Sequence, residues 1–180
     1  MPSSTPTVAP AEGRLGVLTV GLGAVASTLI AGVELAKRGL GSPIGALTQM
    51  DTIRLGKRTD NRNPMIKDFV PLARLEDIVW GAWDPFPDDA YVAATRAGVL
   101  ESGKHLEAIS DTLRAIRPMK AAFERNYVKN IDADNIMGKI SKREMLNAIR
   151  ADINKFRDEK KVDRVVMIWC ASTEIFIEPG

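Results

Sequence analysis

Residues Leu15–Thr28, LGVLTVGLGAVAST, decide the fold of this chain. An apolar run, Leu15 to Val20, enters a turn of small residues that opens straight into a helical pattern from Ala24 to Arg38. The turn carries Gly21-x-Gly23-x-x-Ala26, which fits the G-x-G-x-x-G/A spacing at the end of the first strand of a dinucleotide-binding fold. Gly21 permits the tight turn. The missing side chain of Gly23 lets a pyrophosphate approach the exposed amides and the positive dipole end of the following helix. Ala26 keeps that helix close to the sheet. The alternative for the same residues is an ordinary strand-to-helix turn that binds nothing.

The chain has 180 residues, enough for one sizeable core but short for a dinucleotide enzyme with a separate substrate domain. With 45% hydrophobic and 27% charged residues it has the composition of a soluble globular protein. A net charge of +2 gives no reason to expect nucleic acid or a membrane surface as partner. Residues 1–13, MPSSTPTVAPAEG, contain neither a secretory core nor the repeated Arg of a transit peptide and are expected to form a disordered tail. No apolar stretch approaches the roughly 20 residues of a membrane-spanning helix. A single cysteine, Cys170, allows no internal disulfide and points to the cytoplasm.

Beyond the first helix, which Gly39 and Gly41 terminate, Ile44 to Thr48 is expected to form a short second strand, with Asp51 just after it. An acidic residue about 20 positions past the glycine turn bonds ribose hydroxyls in this kind of fold, and Asp51 is the nearest candidate by spacing. Asp51 to Arg74 reads as an irregular connection. Ile78 to Ala82 reads as a third strand, ending in Gly81-Ala82-Trp83-Asp84-Pro85. Asp84 thus stands at the carboxyl end of a strand, where open α/β sheets hold their ligands, but it equally suits a turn before Pro85. Asp88 to Leu100 has helical spacing, as has His105 to Phe123 with an interruption near Pro118. Ser141 and Glu144 form a capping-box pattern that opens a helix with Met145, Leu146, Ile149, Ile153 and Phe156 on one face and mixed, solvated charges on the other. Val162 to Trp169 reads as a buried strand leading into Cys170-Ala171-Ser172-Thr173-Glu174, a second small, hydroxyl-rich turn at the crevice. The fold class is therefore α/β, a Rossmann-like parallel sheet with flanking helices, about four strands against six in the standard form and so an unfinished sheet.

Other residues carry less. His105 is the sole histidine and no Cys/His cluster has ligand spacing, so no metal site is expected. Cys170 is expected to pack as a small hydrophobe, and Trp80, Trp83 and Trp169 to fill space beside the strands.

Three motifs at strand ends, Gly21-Leu22-Gly23-Ala24-Val25-Ala26-Ser27-Thr28, Trp83-Asp84 and Trp169-Cys170-Ala171-Ser172-Thr173-Glu174, together resemble those of inositol-3-phosphate synthase, also called myo-inositol-1-phosphate synthase. The segment Asp60 to Lys67 and the Ala94 to Leu100 helix extend the resemblance over nearly the whole chain after the tail. Loop residues Ala24, Val25 and Ala26 place it nearer the bacterial branch than the eukaryotic members, which are richer in Gly and Asn there.

The resemblance implies an NAD-dependent isomerase that converts glucose 6-phosphate to inositol phosphate by oxidation, enolisation, intramolecular aldol closure and reduction, feeding myo-inositol and phospholipid biosynthesis. It implies that Gly21, Leu22, Gly23, Ala24, Val25, Ala26 and Ser27 cradle the pyrophosphate, that Asp84 bonds the adenosine ribose, and that Ala171, Ser172 and Thr173 line the cofactor crevice. In this family the sugar-handling lysines lie on a second domain beyond the region matched here. Residues 14–180 are therefore expected to be an NAD-binding domain, inactive alone, with no catalytic residue assigned, and the complete enzyme is expected to be a homo-oligomer. The alternative is a stand-alone NAD-binding or regulatory module without catalysis.

Overall fold

The computed structural model of the protein describes residues 12–124, 128 and 131–171. The expected tail thus lies outside the described residues up to position 11. The apolar run forms β1 (Leu15–Val20), and three more strands follow as β2 (Ile78–Asp84), β3 (Met119–Lys120) and β4 (Arg164–Trp169). All pair in parallel, in the order β3-β2-β1-β4. That order matches the first four positions of the doubly wound 3-2-1-4-5-6 sheet, so the chain has the expected α/β Rossmann-like architecture.

Each face of the sheet has its own core. Val17 on β1 and Trp80 and Ala82 on β2 point to the face covered by α1 (Ala24–Lys37) and α4 (Ala90–Ala97), where Ile30, Ala31, Ala90 and Ala94 are buried. A polar clasp sits inside this layer. Buried Glu34 accepts hydrogen bonds from Lys37 Nζ at 2.6 Å and from Trp80 Nε1 at 2.8 Å, and Lys37 also donates to the Ile78 carbonyl. Every buried charge there has a partner, the condition under which such groups are tolerated.

On the opposite face, Leu18 and Trp83 pack against α6 (Lys142–Lys160), chiefly through Phe156. Two glycines make room for that ring: a Cβ on Gly16 would lie 2.6 Å, and one on Gly81 2.9 Å, from Phe156 ring atoms. The capping box that opens α6 forms as expected, with Ser141 Oγ receiving the Glu144 amide and the Glu144 carboxylate receiving the Ser141 amide. The charged face of α6 is exposed, apart from half-buried Asp152, which accepts from Trp83 Nε1 at 2.9 Å.

Two expected elements do not form. Ile44 to Thr48 is not a strand: β2 and β4 occupy both edges of β1, so the run has no ladder to join. The amides of Ile44 and Ala46 bond locally to Ser42 and Pro43, Leu47–Met50 makes one helical turn (α2), and Ile44 is 83% exposed. The helix expected over His105 to Phe123 ends early, as two short turns and α5 (Ser110–Arg114), and β3 takes the place of its end. Pro118 explains this, because it lacks a donor and biases Arg117 away from helical geometry. The irregular connection after Asp51 contains a narrow antiparallel excursion, in which Ile53 and Leu55 bond to Pro64 and Arg62, followed by one helical turn, α3 (Ile66–Phe69).

Candidate functional site

The glycine turn is built by its neighbours as much as by its own sequence. Gly21 leaves β1 with φ +96°, and an added Cβ would stand 2.9 Å from the backbone of Ala171. Both a left-handed backbone and a close approach to the end of β4 therefore demand glycine here. The Gly21 amide donates to the Trp83 carbonyl at 2.8 Å and the Leu22 amide to Asp84 Oδ2 at 2.6 Å, so the end of β2 fixes the turn. Gly23 is the N-cap of α1 and provides no side-chain cap, while a Cβ there would meet nothing within 4 Å.

The amides of Ala24, Val25 and Ala26 open the helix and so lack intrahelical acceptors. No acidic side chain lies in this first turn to compete for them. An uncapped helix of 14 residues whose entrance is kept clear by a glycine is a fitting receptor for a phosphate group.

Asp84 takes the turn role open to it from sequence and keeps acceptor capacity for the other. Its Oδ1 accepts from the Phe86 amide at 2.9 Å, closing the turn around Pro85, and its Oδ2 holds the Leu22 amide. An ionised carboxylate offers about four acceptor positions, so two remain for hydroxyl donors such as those of a ribose. Asp51, the candidate by spacing, is exposed, and its Oδ1 bonds the adjacent Thr52 amide.

These groups line one crevice of about 480 Å³. It brings together Gly21, Leu22, Gly23, Ala24 and Val25 from the turn with Asp84 and Ala171, all seven expected to meet a cofactor. Ala26 and Ser27 stand apart from it. Ala26 is fully buried in the core and Ser27 turns its hydroxyl back to the Ala24 carbonyl at 3.4 Å. Ser172 and Thr173 lie outside the described residues. Cys170 also lines the crevice, packed against the main core as expected, and burial raises its thiol above the ordinary value.

Other lining residues escaped the sequence reading. Arg96 enters the crevice from α4, paired with Asp88 at 2.7 Å, and Ile131 comes from the segment after β3. Arg96 sits where helical spacing gave no chemical signal, and Ile131 in a stretch without periodicity or motif. A neighbouring apolar cavity of about 380 Å³ shares Gly21, Pro85, Ile131 and Ala171 and is walled by Trp83 and Trp169. Trp169 was expected to fill space; instead it is 68% exposed, because β4 has a neighbouring strand on one side only among the described residues. Among those residues no group of His, Cys, Asp or Glu side chains is arranged to hold a metal ion, and no helix is long and apolar enough to cross a membrane.

Residues 15–180 match an NAD-binding family model described as myo-inositol-1-phosphate synthase. The chain belongs to that family. It is 47% identical over 171 residues to inositol-3-phosphate synthase 1 of Bacteroides thetaiotaomicron, covering 94% of this chain and 39% of the relative. With the inositol-3-phosphate synthase of Trypanosoma brucei brucei it shares 30% identity, over 92% of this chain and 34% of that one. The crystal structure of the Caenorhabditis elegans inositol-3-phosphate synthase superposes with a TM-score of 0.78 at 27% identity, covering 90% of this chain and 35% of the other. The chain thus spans between a third and two fifths of the length of these synthases. Its crevice fits the NAD of the synthase family: open amides for a diphosphate, a carboxylate with acceptor capacity for a ribose, and space in which a Gly23 Cβ meets nothing.

Proposed function

We propose that residues 14–180 are the NAD-binding domain of an inositol-3-phosphate synthase, the isomerase that converts glucose 6-phosphate to inositol 3-phosphate. The observation that carries this reading is the crevice in which the uncapped start of α1, the clearance at Gly23 and the Asp84 carboxylate meet. Bound NAD supplies reversible oxidation of the sugar, returned within the same catalytic cycle.

The chain's own part is to bind and orient. Amides of Ala24 and Val25 receive the diphosphate, and the helix dipole favours its charge. Asp84 takes the adenosine ribose hydroxyls through the acceptor positions that Leu22 and Phe86 leave free. Ala171 walls the cofactor on the β4 side; Ser172 and Thr173, the next residues in sequence, complete the proposed cofactor-binding set. None of the chain's lysines is assigned to the sugar phosphate. Glucose 6-phosphate, a homo-oligomeric state and a cytoplasmic setting belong to the complete synthase in this reading. The alternative of a stand-alone module has no observation of its own in its favour.

Amide-resolved NMR of the chain titrated with ADP-ribose tests this. Millimolar binding should shift Leu22, Gly23, Ala24, Val25 and Phe86, and Gly23→Val should abolish those shifts by filling the approach to the amides. Shifts confined to other surfaces, or equal binding by the variant, would refute the assignment.

A further inference from the structure

We propose that Asn135 is a positioning residue for the cofactor crevice, holding the Asp84–Pro85 corner so that the Asp84 carboxylate meets the glycine turn. Pro85 has no amide hydrogen, so beside the Asp84 carboxylate the corner between β2 and the following loop offers the main-chain carbonyls of Asp84 and Pro85 as anchor points. Both go to Asn135. Its side-chain Nδ2 donates to the Asp84 carbonyl at 2.8 Å, and its main-chain amide donates to the Pro85 carbonyl at 3.0 Å.

The same residue reaches the neighbouring strand. Nδ2 also donates to the Met119 carbonyl at 3.1 Å and approaches that of Pro118 at 3.4 Å, while the Asn135 carbonyl accepts from the Ala121 amide at 2.9 Å. Carboxyl ends of parallel strands leave carbonyls beyond the last ladder bond. Here the ladder between β2 and β3 ends at Asp84 and Lys120, and one side-chain amide gathers the carbonyls around that point. Asp84 is therefore held on its backbone by Asn135, while its two carboxylate oxygens hold Phe86 and Leu22. The chain of contacts runs Asn135, Asp84, Leu22, and ends at the turn preceding the uncapped amides of α1. A residue 51 positions from Asp84 thus sets the geometry of the turn.

A ligand-free measurement tests the positioning itself: amide hydrogen exchange at Leu22, with Leu18 in the core of β1 as the internal reference. Asn135→Ala should lower Leu22 protection at least tenfold while leaving Leu18 unchanged, because the corner opens locally. Asn135→Gln, which keeps the donors on a longer stem, serves if the alanine variant does not fold and should lower Leu22 protection by a smaller factor. Unchanged protection at Leu22, or a fall equal to that at Leu18, would overturn the proposal, the latter by showing a purely structural role.

The consequence for the ligand rests on the reading of the crevice as a dinucleotide site. Wild type should favour ADP-ribose over its analogue lacking the adenosine 2′-hydroxyl, and Asn135→Ala should erase that preference. If wild type binds neither compound, the dinucleotide reading fails and the exchange result still decides the role of Asn135. If wild type shows the preference and the variant keeps it in full, the positioning role is refuted.

Discussion

Strands β1 and β4 carry the same kind of apolar sequence and lie side by side in register, yet they meet different surroundings. The four interior residues of β1, Gly16 to Thr19, are buried, whereas on β4 Val166 is 47% and Met167 52% exposed. β1 has a strand on each edge and helices over both faces. Among the described residues β4 has a strand on one edge, and its cover is partial: Ile168 and Val165 pack against the two cores while Val166 and Met167 stay open. An apolar run records how a strand is to be used, while its actual burial depends on neighbours far away in the chain.

The contrast can be broken by truncating matched residues. Leu18→Ala on β1 should cost about 3 kcal/mol in chemical denaturation, since Leu18 is fully buried between Trp83 and Phe156. Met167→Ala, its neighbour in register on β4, should stay within about 0.5 kcal/mol. Equal losses would mean that β4 is as enclosed as β1 in solution.

A smaller effect sharpens the comparison at α6, which covers β1 but leaves Met167 open. Ser141→Ala removes the N-cap and should cost about 1 kcal/mol at neutral pH. Hydrogen bonds from the Ser141 amide and then its hydroxyl hold the Glu144 carboxyl below its ordinary value. A carboxyl lowered on folding stabilises the protein above its unfolded value and loses that contribution as pH falls through the folded one. The variant keeps the main-chain donor and loses only the hydroxyl, so its deficit should narrow in acid without vanishing, the N-cap bond from the Glu144 amide to Ser141 Oγ being independent of pH. A difference independent of pH would show that the Ser141 hydroxyl does not hold the Glu144 carboxylate.

Much of this was legible in the sequence because it depends on local rules. The strand, turn and helix of Leu15 to Lys37 follow from apolar run, glycine spacing and periodicity, and the start of α6 from Ser141 and Glu144. The misplaced second strand had a different origin. Ile44 to Thr48 has strand-like residues, but only the sheet order shows that both edges of β1 are taken by β2 and β4. The premature end of the helix after His105 could be anticipated at Pro118, though not its replacement by a strand.

The site divided in the same way. Gly21, Gly23 and Asp84 announce themselves at strand ends, whereas Arg96, Ile131 and Asn135 reach the crevice or its rim through tertiary contacts with no periodic signal. Even the glycine motif was incompletely readable. Gly21 is required by the backbone of Ala171, 150 positions later, as well as by its own turn.

The most direct test of the cofactor site is a crystal structure of the chain with ADP-ribose. The diphosphate should lie against the amides of Ala24 and Val25, above Gly23, with the adenosine ribose hydroxyls on the Asp84 carboxylate. A ligand seated instead in the polar groove lined by Lys67 and Arg74, with the glycine turn empty, would contradict the account.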